Sequence, residues 1–252
     1  MKSLNQYIKE SLLDIDDGSI NSQAEEYVIA EIKEWIESVY STKDYTIDLN
    51  THTVDGKRVE VKDKSIDRLM PEGWSWGVVK YTFGCKYCKS LKALEGAPRV
   101  VGGDFYCINC DSLKTLEGAP EEVGGVFYCG SCMSLESLEG APKKVGEDFS
   151  CRYCDSLKSL KGAPKKIGGY FNCNYCVVLK SLEGAPEEVG EDFYCINCDS
   201  LKSLKGAPKK IGGVLDLRDC GSLKSLDGLA KGIDINPPDH LKEEAKDYMK
   251  TR

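Results

Sequence analysis

No run of about 18 consecutive apolar residues occurs in this chain, which excludes a membrane-spanning helix. Its amino end, Met1-Lys-Ser-Leu-Asn-Gln-Tyr-Ile-Lys-Glu10, carries charges and amides where a secretory signal needs an uninterrupted apolar stretch. A basic block is missing too. The 34 lysines and arginines are interspersed with 41 aspartates and glutamates, for a formal charge of −7. A nucleic-acid backbone wants a concentrated positive surface, so no nucleic-acid partner is expected. Histidine is scarce: His52 and His240 stand far apart in the chain, and neither sits in a recognisable nucleophile pattern. The glycines flank Pro and Val in turns and open no helix, so there is no loop to cradle a phosphate. These absences leave a folded, non-enzymatic protein with no membrane partner, its 41% hydrophobic content sufficient for a core.

What the chain has in abundance is itself. Phe105-Tyr-Cys-Ile-Asn-Cys-Asp-Ser-Leu-Lys-Thr-Leu-Glu-Gly-Ala-Pro-Glu-Glu-Val-Gly-Gly-Val126 is nearly repeated by the next 22 residues. The first cysteine of each copy falls at Cys85, Cys107, Cys129, Cys151, Cys173 and Cys195, a constant step of 22, and Leu217 takes that place in a seventh copy. Fixed-period self-similarity means a solenoid. Within a copy, Phe and the first Cys point one way and the residue between them the other, which reads as a short strand. Gly-Ala-Pro and the glycines after Val punctuate two turns. One coil cannot bury its own Phe, Leu, Leu and Val; parallel stacking at about 4.8 Å joins them into ladders. The fold class expected is a repeat solenoid of short parallel strands with a turn-rich, irregular convex side.

The flanks divide the chain further. Residues 1–19 form an N-terminal segment, with Leu4, Tyr7, Ile8 and Leu12 at helical spacing before the acidic break Asp14-Ile-Asp-Asp-Gly-Ser19. Residues 20–82 read as an N-terminal cap. A helix over Ser22 to Tyr40 presents Val28, Ile32, Trp35, Ile36 and Val39 on one face, with Ser22 and Glu25 as a capping box. A hairpin turning at Asp55-Gly56 follows, then a degenerate first coil carrying Val59, Val61, Ile66 and Leu69. Residues 83–233 are the seven-coil array, and 234–252 a C-terminal cap helix near Asp239 to Met249 introduced by Asn236-Pro-Pro-Asp239.

The array resembles leucine-rich repeat proteins. Leu215-Asp-Leu-Arg-Asp-Cys-Gly-Ser-Leu-Lys-Ser-Leu226 matches that family's L-x-L-x-x-[N/C]-x-x-L-x-x-L pattern, and the other copies place Phe and Cys at the first two leucines. Ser-Leu-Glu-Gly-Ala-Pro and Val-Gly-Gly-Asp-Phe are similar to short cysteine-bearing repeats of uncharacterised proteins in large tailed bacteriophages, which implies a viral origin and no activity. The resemblance also implies that the strands line a concave, partner-binding surface. Separately, Met1 to Glu10 is similar to capsid-targeting peptides of internal head proteins in T4-like bacteriophages. Their maturation protease cuts after a hydrophobic-x-Glu triplet, which Ile8-Lys9-Glu10 fits, so Glu10 is a candidate cleavage site.

Thirteen cysteines raise two questions. The pairs Cys107-x-x-Cys110 and Cys129-x-x-Cys132 have the spacing of a four-cysteine zinc ribbon. Because the pair recurs in every coil, the spacing follows from the repeat. Leu217 in the first position of the seventh coil argues that this position is simply apolar, while the second is where leucine-rich repeats use Asn or Cys to meet backbone at the turn. No metal and no cofactor are expected; zinc-dependent stability stays an alternative. Without a signal peptide, reduced thiols in a cell interior are expected, the host cytoplasm or, through the N-terminal peptide, the virion. The candidate binding face consists of the outward residues Tyr106, Ile108, Asn109, Tyr128, Arg152, Tyr153, Asn172, Tyr175, Tyr194, Ile196 and Asn197. Tyrosine combined with Asn and Asp suits a protein partner, since it offers apolar area together with hydrogen bonding.

Overall fold

The computed structural model describes residues 22–250, with side chains from Glu25 onward. It is a parallel β-solenoid of about eight turns. Each coil's Phe begins a two-residue strand, from Phe83–Gly84 to Phe193–Tyr194, and successive strands pair in parallel with Phe opposite Phe. The rings stack at centroid separations of 4.8 to 5.5 Å. Both leucine rows behind them, Leu91 to Leu201 and Leu94 to Leu204, have no solvent exposure. A stack of this kind gains stability only between neighbours, because no coil has a core of its own.

A second strand per coil ends at the valine or isoleucine of the repeat, as in Val100–Val101, Lys144–Val145 and Lys210–Ile211, and builds a nine-stranded second sheet. The sequence pattern marks this stretch only as a turn. Once the Phe strands pair in register, the equal coil length brings the Val segments into line as well, and their main-chain groups find partners in the next coil. The opposite side is therefore a ladder, with Glu and Lys outward and Val inward.

Two residues per coil sit in the left-handed region. One is glycine every 22 residues from Gly96 to Gly228, at φ of +84° to +96°. The other precedes the second cysteine position and is Tyr87, Asn109, Ser131, Tyr153, Tyr175, Asn197 or Asp219, at φ of +55° to +64°. Asn and Asp tolerate this conformation because their side chains bond locally; a tyrosine there is strained.

Coils also alternate. Asp104, Asp148 and Asp192 precede Phe at intervals of 44 residues, and their Oδ1 atoms accept the N–H of Val126, Tyr170 and Val214 in the following coil at 3.0, 3.0 and 2.8 Å. Each carboxylate occupies the space over Gly125, Gly169 or Gly213, where a Cβ would lie 2.1 to 2.3 Å from it. An Asp in one coil thus requires Gly in the next.

The ends are closed by different means. Helix α1 (Ser22–Val39) buries Val28, Ile32, Ile36 and Val39 against the first turn, where Tyr40 packs edge-on to Trp76 at 5.2 Å. Val59–Val61 pairs in parallel with Phe83–Gly84, as expected of a first coil. The expected hairpin, Tyr45 to Leu49 joined to Arg58 to Lys62 through a turn at Asp55-Gly56, does not form: Val59–Val61 pairs with Tyr40–Ser41 and Phe83–Gly84 in the other sheet, and a different hairpin stands in its place. Tyr45–Asp48 pairs antiparallel with Thr53–Gly56, so Asp55 and Gly56 lie within a strand and the chain reverses over 49–52. Asp48 Oδ1 accepts the N–H of Asn50 and Thr51 at 2.8 and 3.3 Å, and His52 takes φ +53°; this side-chain turn outcompetes the Asp-Gly signal. At the other end a 3-10 turn (Asp239–Leu241), which buries Leu241, leads into helix α2 (Lys242–Lys250), which buries Ala245. Glu244 accepts the Leu226 N–H at 2.6 Å, tying the cap to the last coil. Residues 1–19, with the candidate cleavage site at Glu10, lie outside the described residues.

Candidate functional site

The outer face of the Phe sheet carries three rows of side chains: the residue after each Phe, the residue after the first Cys, and the left-handed residue beyond it. Of the expected binding residues, Arg152, Tyr153 and Tyr175 are exposed, and Tyr106, Ile108, Asn109, Tyr128, Asn172, Tyr194, Ile196 and Asn197 are half-buried. The tyrosines divide into two kinds. Tyr106 and Tyr194 donate their hydroxyls to Asp104 and Asp192 at 3.0 and 2.6 Å. Burial, followed by the Asp104 carboxylate, pushes the Tyr106 phenol up to about 12, while for Tyr194 the Asp192 bond is the leading cause of a rise to about 12. These two are satisfied within the sheet.

Tyr153 and Tyr175 are not held in this way. Their rings stack at 4.5 Å and 10°, one above the other on the surface, each on a left-handed backbone. The Arg152 guanidinium lies 5.3 Å from the Tyr128 ring and 5.6 Å from that of Tyr153, a cation–π arrangement. Gly130 makes room for it: a Cβ there would meet Tyr128 Cε2 at 2.8 Å and the Arg152 carbonyl at 3.1 Å. The structure therefore groups Tyr128, Arg152, Tyr153 and Tyr175 at the middle of the array.

Other members of the same rows were passed over in the sequence, although adding or subtracting 22 residues finds them. Lys86 stands 4.1 Å from the Tyr106 ring, and Asn174 Oδ1 accepts the Ile196 N–H at 2.7 Å. The two histidines serve the caps: His52 packs at a tilt against Trp74, 5.2 Å between centroids, and His240 Nε2 lies 2.7 Å from the Leu223 carbonyl.

Behind the face run the thiols, all thirteen free and buried. From Cys110 onward, the second cysteine of each coil points its sulfur at the carbonyl of the first cysteine one coil earlier, Cys110 to Cys85 at 3.1 Å, Cys132 to Cys107 at 3.0 Å, and so on to Cys220 and Cys195 at 2.9 Å. The second position is thus a hydrogen-bonding one from Cys110 onward; among the first-position thiols, Cys85 and Cys173 meet the carbonyls of Tyr106 and Tyr194 at 3.5 and 3.4 Å. Burial raises the Cys107, Cys129 and Cys151 thiols well above their ordinary range, so these sulfurs stay protonated and unreactive at neutral pH. One group departs from simple files: the sulfurs of Cys173, Cys195 and Cys198 all lie within 4.8 Å of one another.

The division of labour between the two positions has a measurable consequence. Cys154→Ser keeps a donor toward the Cys129 carbonyl, where the thiol stands at 3.4 Å, and is expected to change stability by less than about 1 kcal/mol. Cys151→Ser puts a hydroxyl into a fully buried position beside the Cys176 thiol, with no carbonyl partner like that of Cys154, and is expected to cost about 1–3 kcal/mol. Urea unfolding of both variants checks the difference; equal losses would reject it.

Fold and period together define a cysteine-lined parallel β-solenoid. Compared with family models, curated proteins and solved structures, the chain matches none.

Proposed function

We propose that this solenoid is a non-enzymatic scaffold that binds a protein partner through the outer face of the Phe sheet, centred on Arg152, Tyr153 and Tyr175. The observation that carries the reading is the exposed Tyr153–Tyr175 stack, 4.5 Å between centroids, on two left-handed residues. Asn109 and Asn197 occupy the same row at φ +57° and +55°, so the fold has no need of tyrosine there. Paired rings beside an arginine supply rigid apolar area with a hydrogen-bonding rim, the composition of interface anchors. The likeness of the array to leucine-rich repeats supports the same use of the strand face. On this reading the protein acts in the host cytoplasm. Its alternative place is the virion, as a packaged component of a bacteriophage particle, a reading supported by Ile8-Lys9-Glu10; mass spectrometry of virions would then find a chain beginning at Ser11.

The test exploits the repeat. The double variant Tyr153→Asn, Tyr175→Asn installs the residue that sister coils already use, so the melting temperature should hold or rise. Proteins captured stoichiometrically by wild type from infected-cell lysate should fall at least about tenfold with the variant, the loss of two anchor residues. Unchanged capture by a variant of unchanged stability would reject this face.

A further inference from the structure

Metal coordination is the one chemistry for which the interior brings several donor atoms to a common point. Cys173, Cys195 and Cys198 come from two successive coils, have no solvent exposure, and hold their sulfurs within 4.8 Å of one another. The corresponding positions recur along the array, for instance as Cys107, Cys129 and Cys132, yet among the described residues only this group of three converges. Its place in the array is distinctive. The next first-position cysteine is replaced by Leu217, so the sulfur file ends in hydrocarbon just beyond Cys195. A fourth thiol, Cys220, interacts with Cys195 and Cys198 but lies outside the converging group; it meets the Cys195 carbonyl at 2.9 Å, as Cys198 meets that of Cys173 at 3.2 Å and Cys173 that of Tyr194 at 3.4 Å, contacts that ligation would replace.

We propose that Cys173, Cys195 and Cys198 form a three-thiolate site for a soft, low-coordinate cation of the Cu(I) class. All three donors are sulfur, with no histidine or carboxylate in the group, and thiolate-only sets select soft ions. Taking the zinc–thiolate length of about 2.3 Å as a guide, an ion central to three coplanar sulfurs spaces them about 4.0 Å apart, within the separation present here. Zinc wants a fourth, tetrahedral ligand, which the converging group does not supply. Binding changes no oxidation state: each ligating thiol gives its proton to solvent, and the cation, supplied as Cu(I), takes the sulfur lone pairs. A coordinating thiol is deprotonated outright by the ion's own charge. Because the sulfurs are fully buried, the ion enters as the coils close, so metal and folding are coupled.

Full-length protein is refolded from denaturant without oxygen, in the presence of Cu(I) supplied as its acetonitrile complex, and then challenged with bathocuproine disulfonate. Wild type is expected to retain one Cu(I) per chain and to show the red-shifted emission of shielded Cu(I)–thiolate. Cys195→Val, which fills the space without a donor, and Cys198→Ser, which keeps a donor toward the Cys173 carbonyl, should each lose retention at least tenfold; circular dichroism reports whether each has folded. Cys107→Val, in a coil whose thiols do not converge, should retain the ion. No retention by wild type overturns the proposal, as does equal retention by whichever of the two site variants folds. Loss in Cys107→Val equal to that in the site variants would show diffuse thiol binding and overturn it too, as would preferential retention of Zn(II) in a mixed refolding.

Discussion

Gly168→Ala is expected to cost the solenoid about 3 kcal/mol or more, whereas Gly221→Ala should be neutral or slightly stabilising. The contrast follows from how closely the corner after each Val approaches the coil before it. Gly124, Gly146, Gly168, Gly190 and Gly212 form a file in which an added Cβ would lie 1.9 to 2.2 Å from the preceding glycine's carbonyl oxygen. That neighbour is backbone, and Gly146 is itself tied by its N–H to the Val123 carbonyl of the coil before at 2.9 Å, so relief requires opening the stack and not merely turning a side chain. At Gly221 nothing lies within 4 Å of such a Cβ. Replacing that exposed glycine mainly removes freedom from the unfolded chain. Denaturant midpoints at constant m-value measure both. A loss below about 1 kcal/mol at Gly168 would mean that the coils are not stacked as tightly as the contacts require.

Phe149→Ala should be as damaging and should also change how the protein unfolds. The ring is fully buried between Phe127 and Phe171, at 5.1 and 5.4 Å, and truncating a buried Phe costs about 3–5 kcal/mol. Stability in a solenoid is a chain of neighbour terms, so a gap at mid-array weakens the coupling between the halves as well as the total. The expected result is a broadened or two-step urea transition with a lower apparent m-value, the half joined to α1 and the half joined to α2 melting apart. A single sharp transition displaced by less than about 1 kcal/mol would show that the phenylalanine ladder does not hold the coils together.

Much of the molecule was legible in the sequence because the same contact is made many times. The inward Phe, Cys, Leu, Leu and Val recur every 22 residues, so a single reading of which side chains face inward applies to every coil. Both caps followed from the loss of that period next to helical spacing. The hairpin was misread in its turn and in its second strand, which is Thr53–Gly56, because a local rule, Asp-Gly, met a competing one: Asp48 gathers two N–H groups and His52 accepts a left-handed backbone. Of the candidate face, the rows could be read but not their state. Nothing in Phe-Tyr-Cys says that the Tyr106 and Tyr194 hydroxyls turn back onto Asp104 and Asp192 while Tyr153 and Tyr175 stack in the open.

By itself, the sequence determined the coil: its length, its buried set, and the glycines that bend it, since these depend on a repeating local pattern and the need to hide apolar surface. Only the tertiary structure decided what passes between coils. The second sheet, the alternation of Asp over Gly, the thiol-to-carbonyl bonds and the meeting of Cys173, Cys195 and Cys198 all depend on the lateral register of one turn upon the next. That register is set when the strands of neighbouring coils satisfy each other's backbone groups, and it joins atoms that lie a full turn apart along the chain.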